Sequence, residues 1–157
     1  MAIVILPGKS PRNVSWYYDA KKIFAEFEFL KYGHWKNESF DYKKDLVEVK
    51  KLLKKDSVVI GKSLGAVYAM SSEDVKSRVL CGIPLMFAKV IGFDMLKLLN
   101  QTKVKTIVFQ NEEDPTAKFD QIIVTNPLVE VVKLKGNTHD YSLKEIQKLA
   151  DSKAYFD

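Results

Sequence analysis

The chain is poor in cysteine, with Cys81 the only one among its 157 residues. A single thiol excludes an internal disulfide and favours a reducing cytoplasm. No apolar stretch reaches the roughly 18 residues that a membrane-spanning helix needs. The apolar run at residues 1–6 is too short for a signal peptide, has no basic leader, and ends at Pro7-Gly8. We therefore expect a cytoplasmic protein that does not bind a membrane.

Patterns that bind metals or nucleotides are also absent. No set of His, Cys, Asp and Glu has the spacing of metal ligands. The Gly-Lys-Ser tripeptides at residues 8–10 and 61–63 resemble the end of a phosphate-binding loop, which needs another glycine five positions earlier. Ile3 and Asp56 stand at those positions. We expect neither a metal site nor a nucleoside triphosphatase.

The charge is basic, with a formal net charge of +5 and a pI near 9.1. Such a balance could indicate a nucleic-acid partner. Many of the lysines, however, lie in residues 41–55, where they are interspersed with Asp41, Asp45 and Glu48. This mixture of signs is typical of a solvated helix face. We expect no nucleic-acid partner.

Strand-like and helix-like stretches alternate along the chain, without a repeat or a linker. The predicted strands are residues 3–6, 27–32, 58–60, 78–83, 105–110 and 129–134. The predicted helices are residues 15–24, 41–54, 63–72, 94–100 and one that starts at 142. This order predicts a single α/β domain over residues 1–157, with a doubly wound, mostly parallel sheet flanked by helices.

In such sheets, ligands bind at the carboxyl ends of the strands, where the strand order reverses. If the first and third strands are neighbours at the reversal, the loops that follow them meet there. Those loops are Pro7-Gly8-Lys9 and Gly61-Lys62-Ser63. A binding site is therefore expected where these two loops come together.

The most informative motif is Gly61-Lys62-Ser63-Leu64-Gly65, which lies between an apolar strand and an apolar helix. A G-x-S-x-G sequence in that position is typical of a nucleophile elbow. The turn is so tight that only small residues fit beside the serine, and the two glycines let the strand and helix backbones approach each other. Ser63 is therefore the candidate nucleophile.

A serine nucleophile needs a base within hydrogen-bond reach and a third group that orients the base. The chain has two histidines, His34 and His139, and each lies in a loop after a predicted strand. Position alone does not exclude His34. Chain order favours His139, because the base comes last in this architecture.

The orienting acid should lie between the serine and the histidine, after a late strand. Asp114-Pro115 follows the fifth predicted strand. The proline keeps the preceding residue out of the helical conformation, which favours Asp114. Glu112 and Glu113 remain alternatives. The preferred order is thus Ser63, Asp114, His139.

These segments together resemble an α/β-hydrolase, specifically a small, lidless one of the dienelactone-hydrolase-like kind. The resemblance extends over nearly the whole chain and depends on residues 3–8, 61–65, 111–115 and 136–139. The chain departs from the family pattern at two positions. Many relatives have histidine or another residue where Lys62 stands, and many have histidine where Pro7 stands.

The resemblance implies an oxyanion hole of two backbone N–H groups. One belongs to Leu64, the residue after the nucleophile. The other comes from the loop after the first strand, with Lys9 preferred and Gly8 as the alternative. Such donors stabilise the negative charge that develops on the carbonyl oxygen in the transition state.

Substrate-binding residues are expected around this site. Lys62 and Lys9 flank it and could attract a substrate that carries a carboxylate, and Gly8 lies in the same loop. The apolar segment at residues 85–91, which includes Met86, either forms one wall of an acyl pocket or packs in the core.

We expect a serine hydrolase that cleaves a small carboxylic ester through an acyl-enzyme and needs no cofactor. A thioester or an amide is an alternative substrate. Two alternatives come from other classes of protein: an interaction module that keeps the fold without turnover, and a flavodoxin-like binder.

Overall fold

The computed structural model describes all 157 residues and contains one six-stranded sheet. Its strands are β1 Ala2–Leu6, β2 Glu28–Phe29, β3 Ser57–Lys62, β4 Ser77–Cys81, β5 Lys105–Asn111 and β6 Val129–Leu134. The spatial order is β2-β1-β3-β4-β5-β6, and every neighbouring pair is parallel. The predicted fold class, an α/β protein with a doubly wound sheet, is confirmed.

Six α-helices connect or flank these strands. They are α1 Ser15–Ile23, α2 Tyr42–Leu52, α3 Leu64–Ala69, α4 Leu85–Val90, α5 Met95–Gln101 and α6 Leu143–Asp151. Side chains cap several of them: Asp41 accepts from the first turn of α2, and Ser142 accepts from the N–H of Glu145 in α6. Such caps satisfy N–H groups that have no partner inside the helix. None of the helices combines the length and the apolar character needed to cross a membrane.

Two apolar layers sandwich the sheet. Because alternate residues of a strand point to opposite faces, Val59 of β3 packs in one layer while Val58 and Ile60 pack in the other. The first layer is covered mainly by α2 to α5, and the second by α1 and α6. In α2, Val49 is fully buried, so the helix packs on the core through the face that carries this residue.

The strand order reverses between β1 and β3, because β2 lies on one side of β1 and β3 on the other. Leu6 pairs with Gly61, so β1 and β3 end side by side. The loops after these two strands therefore meet at the carboxyl edge of the sheet, as expected.

Two segments differ from their predicted structure. The strand predicted over residues 27–32 is reduced to the two residues of β2, because the chain turns into a short 3₁₀-helix at Gly33–Lys36. The apolar segment at residues 85–91 forms α4. Its Ala88 is fully buried, but its Met86 is 72% exposed. This helix packs on the core through one face only.

The glycines of the elbow let three backbones come together. A Cβ atom on Gly65 would overlap the carbonyl group of Leu6 in β1. A Cβ atom on Gly61 would lie 2.7 Å from the carbonyl oxygen of Gly65, closer than van der Waals contact. The helix α3 therefore approaches β1 and β3 closely only because both positions lack a side chain.

We predict that Gly65→Ala destabilises the protein strongly, because the new methyl group meets rigid backbone that cannot move aside. The expected loss in the free energy of unfolding is about 1–3 kcal/mol or more. Urea denaturation measures it. Gly33→Ala is the matched control, since its methyl group would meet only the flexible, exposed side chain of Glu38. Equal stability of the two variants would contradict the prediction.

Candidate active site

Ser63 occupies the turn between β3 and α3 in a conformation that is rare for a residue with a side chain. Its φ is 54° and its ψ is −116°, and such a conformation is strained outside glycine. The N–H of Ser63 is held by the carbonyl of Cys81, at 2.9 Å. The turn thus presents the hydroxyl at the carboxyl edge of the sheet, as in a nucleophile elbow.

The structure brings the three side chains Ser63, His139 and Asp114 into one chain of hydrogen bonds. Nε2 of His139 lies 2.7 Å from Oγ of Ser63. Nδ1 of His139 lies 2.9 Å from Oδ2 of Asp114 and 3.1 Å from Oδ1. A carboxylate only accepts, so Nδ1 carries the proton and Nε2 is free to accept from the serine hydroxyl.

The carboxylate of Asp114 is fully buried and held by several donors. It accepts from the hydroxyl of Tyr141 at 2.6 Å, and from both the N–H and the hydroxyl of Thr116 at 2.8 Å. Burial alone would raise the pKa of Asp114. The hydrogen bonds from His139, Tyr141 and Thr116 outweigh burial and hold the pKa below its usual value. Asp114 is therefore ionised at neutral pH.

Two further residues complete this arrangement, and the sequence analysis did not identify either. The hydroxyl of Tyr141 donates to Asp114 and accepts a hydrogen bond from the N–H of Asn111, at 2.8 Å. Gly82 has a φ of 65°, and a Cβ atom there would lie 2.7 Å from the ring of Tyr141 and 3.0 Å from the ring of His139. Gly82 thus makes room for the imidazole. The proximity of Tyr141 to His139 in the sequence was the one available signal.

The alternative base and acids lie elsewhere. Nε2 of His34 lies 2.7 Å from the carbonyl oxygen of Lys9, not at Ser63. Glu113 forms an exposed ion pair with Lys118, with an N–O distance of 3.0 Å. Glu112 faces the ammonium of Lys133 at 3.8 Å. None of these three groups contacts the Ser63–His139 pair.

The N–H groups of Leu64 and Lys9, and also that of Gly8, have no hydrogen-bond acceptor within the chain. Leu64 is the first residue of α3, where helical N–H groups normally lack a partner. Its N–H and the loop after β1 therefore offer free donors beside Ser63.

Three aromatic side chains from residues 32–35 hold the loop that contains Lys9. The hydroxyl of Tyr32 donates to the carbonyl of Pro7 at 2.5 Å. The rings of His34 and Trp35 both bond the carbonyl of Lys9, at 2.7 Å and 2.8 Å. The Gly8–Lys9 peptide, which carries the N–H of Lys9, is thus fixed on both sides.

A cavity of about 930 Å³ opens beside Ser63 and His139. Most of the residues that line it have polar side chains, and they are residues 8–13, 15–16, 34, 62–63, 139–142 and 145. The predicted residues Gly8, Lys9 and Lys62 line it, but Met86 does not. Met86 is turned to solvent because the opposite face of α4 carries the buried Ala88.

The two lysines that were predicted to flank the site differ in position. Lys62 is 8% exposed, and its ammonium donates to Oδ1 of Asn13 at 2.6 Å. Burial lowers the pKa of Lys62, although Cys81 and Asp140 oppose that effect. The ammonium of Lys9 instead lies over the rings of Phe40 and Phe87, at 4.6 Å and 5.5 Å from their centroids.

No group of three or more His, Cys, Asp or Glu side chains could hold a metal ion.

We predict that Tyr141→Phe lowers the free energy of unfolding by about 1–3 kcal/mol at pH 7, because it removes one of the donors to the buried carboxylate of Asp114 and leaves the buried N–H of Asn111 without a partner. The carboxylate part of this loss requires an ionised Asp114. Because the pKa of Asp114 is lower in the folded protein than in the unfolded chain, its ionised carboxylate stabilises the fold at pH values above the unfolded pKa of about 4. This stabilisation is lost as the pH falls through the folded pKa.

The loss caused by Tyr141→Phe should therefore be larger at pH 7 than at pH 3, as measured by urea denaturation at both values. Tyr18→Phe is the control, because Tyr18 is 58% exposed. A loss that is equal at both pH values would mean that the hydroxyl acts only through the N–H of Asn111.

No protein-family model matches the chain, and no curated protein sequence shows significant similarity to it. Solved structures do match. A protein described as a YdeN-like hydrolase from Pectobacterium atrosepticum has a TM-score of 0.74 at 17% identity, over 99% of this chain and 92% of that one. The esterase domain of a Rhodothermus marinus protein has a TM-score of 0.68 at 10% identity, over 98% and 86% of the two chains.

An alpha/beta hydrolase from a Medee basin deep-sea metagenome library has a TM-score of 0.65 at 14% identity, over 99% of this chain and 88% of that one. At these identities the similarity concerns the fold alone. The matches extend over nearly the whole chain and agree with the parallel sheet flanked by helices. The chain therefore has the α/β-hydrolase fold.

Proposed function

We propose that this protein is a serine hydrolase that cleaves a small carboxylic ester through an acyl-enzyme. One observation supports it above all others. The hydroxyl of Ser63 lies 2.7 Å from Nε2 of His139, whose other ring nitrogen is bonded to the ionised Asp114. Three residues from distant parts of the chain rarely meet in this order and geometry without a catalytic role.

In the proposed reaction, Ser63 Oγ attacks the ester carbonyl while His139 Nε2 takes its proton. The resulting imidazolium is stabilised by Asp114, which stays ionised. The tetrahedral intermediate then collapses, and His139 returns the proton to the departing alcohol. A water molecule attacks the acyl-enzyme in the same way and releases the acid and the free serine.

The N–H groups of Leu64 and Lys9 are the proposed oxyanion hole. Both are free of acceptors within the chain, and a helix N-terminus favours negative charge. Such donors are effective only if they are fixed before the reaction, because they then require no reorganisation in the transition state. The bonds from Tyr32, His34 and Trp35 to the loop supply this rigidity.

The finer assignment, to the small, lidless dienelactone-hydrolase-like group, is part of this proposal. Only the short helices α4 and α5 lie between β4 and β5, and both pack on the core. Thioesters and amides remain alternative substrates, because the same groups act on all three. A non-catalytic interaction module is the alternative of a different class. It gives no reason for a strained Ser63 beside an oriented imidazole.

A fluorophosphonate probe and a series of p-nitrophenyl esters of increasing acyl length test the proposal. The wild-type protein should be labelled and should hydrolyse the short esters. Ser63→Ala should abolish labelling and lower kcat by about 10⁴-fold or more. Ser39→Ala, at an exposed serine, is the control and should retain both. Activity that survives unchanged in Ser63→Ala would rule out the mechanism.

We also predict that Tyr32→Phe lowers kcat by about tenfold with little change in KM, because it loosens the loop that carries the N–H of Lys9. Steady-state kinetics, at a temperature where the variant is fully folded, measures the effect. Tyr155→Phe is the matched control, since its hydroxyl also donates to a backbone carbonyl, that of Thr106, but far from this loop. Equal changes in kcat for the two variants would refute the positioning role.

A further inference from the structure

Lys62 carries a buried ammonium without a counter-ion. Lysine is almost never buried unless it is paired, because removing the charge from water is unfavourable. The side chain is 8% exposed, and no carboxylate lies within 4.0 Å of its nitrogen. Only the amide oxygen of Asn13 accepts from it, at 2.6 Å. Two of its three N–H donors thus have no acceptor within the chain.

The surroundings of Lys62 are built to hold the ammonium in place. Asn13 is itself buried, and its Nδ2 donates to the carbonyl of Ser10 at 3.0 Å, which turns Oδ1 towards Lys62. The ring of Trp16 lies 5.7 Å from the ammonium, close enough for a cation–π attraction. Lys62 follows Val58 and Ile60 at steps of two, so it points to the face of the sheet that α1 and α6 cover.

A second cation lines the same cavity. Arg12 is exposed, belongs to the same short 3₁₀-helix as Asn13, and forms no ion pair. Its only side-chain hydrogen bond runs from Nε to the hydroxyl of Ser10, at 3.4 Å. Two cations on one wall, neither with a counter-ion, repel each other and do not stabilise the fold. They do create a place where an anion is attracted.

The acidic residues on the cavity wall form no ion pair with these cations. Asp140 and Glu145 both line the cavity and both are exposed. Neither forms an ion pair with Lys62 or Arg12. They belong to residues 139–145, whereas Arg12 and Asn13 belong to the segment after β1. Asp140 acts on Lys62 only from beyond ion-pair distance, so the ammonium and the guanidinium both remain free to contact an anion.

We infer that Lys62 and Arg12 form a subsite for the carboxylate of the substrate, so that the preferred esters carry a negative charge on a short acyl chain. This inference depends on the proposed function and specifies its substrate class. Lys62 and Ser63 line the same cavity, so an acyl chain bound to the serine can extend towards the ammonium. Lys9, predicted as the second lysine of such a pair, is replaced in this role by Arg12, because its own ammonium lies over two aromatic rings.

The test uses matched pairs of p-nitrophenyl esters. One member of each pair is the monoester of glutaric, adipic or pimelic acid, and the other is the same compound with its free carboxylate blocked as a methyl ester. We expect the wild-type protein to prefer the charged member by about 10- to 100-fold in kcat/KM at the best chain length. Rates without enzyme are subtracted, because the free carboxylate of a charged ester can attack the ester group of the same molecule.

Lys62→Met, which keeps the length of the side chain, should bring this ratio close to one. Arg12→Gln, at an exposed position that folding tolerates, should lower the ratio by about threefold or more. Lys97→Met removes an exposed lysine of α5 outside the cavity. It should leave the ratio unchanged, which separates local binding from the effect of net charge.

The outcomes separate the two proposals. A wild-type ratio near one, or a ratio that Arg12→Gln and Lys62→Met both leave unchanged, overturns the subsite and leaves the hydrolase intact. If Lys62→Met does not fold, an unchanged ratio in Arg12→Gln is sufficient to overturn it. A wild-type protein that turns over neither ester and resists the fluorophosphonate probe fails as a hydrolase.

Discussion

The close approach of three backbones at the elbow is the constraint on which the rest of the site depends. The carbonyl of Leu6 fills the space where a side chain on Gly65 would lie. Because α3 is held this close to β1 and β3, Ser63 is forced into a positive φ, and its hydroxyl points out of the sheet. The same approach places the first N–H groups of α3 beside the loop after β1. The positions of the proposed nucleophile and of the proposed oxyanion donors thus depend on one packing contact.

Local patterns in the sequence were enough to predict the fold and the three central side chains. The alternation of strands and helices gave the parallel sheet, and the spacing of glycine and serine identified Ser63. The order of the remaining polar loops identified Asp114 and His139, which the structure brings together. Each of these signals is contained in a few neighbouring residues or in chain order. They can therefore be recognised without knowledge of the tertiary structure.

The supporting residues could not be predicted in this way, because each acts through a contact between distant segments. Tyr141 reaches Asp114 across 27 positions, and Tyr32 reaches Pro7 across 25. The orientation of long side chains is equally hidden. Lys9 and Lys62 both follow a glycine at the carboxyl edge, yet one ammonium lies over aromatic rings and the other is buried beside Asn13. Met86 faces solvent because α4 packs on the core through the opposite face, which carries Ala88.

The length of β2 has a consequence for the behaviour of the protein in concentrated solution. A parallel sheet with an open border offers unpaired backbone groups to the strands of other molecules, which can begin aggregation. Here that border is only two residues long, and the chain then leaves the sheet to hold the Lys9 loop. An incoming strand finds almost no template on this side. The segment that fixes the loop thus also shortens the strand that other molecules could pair with at this border of the sheet.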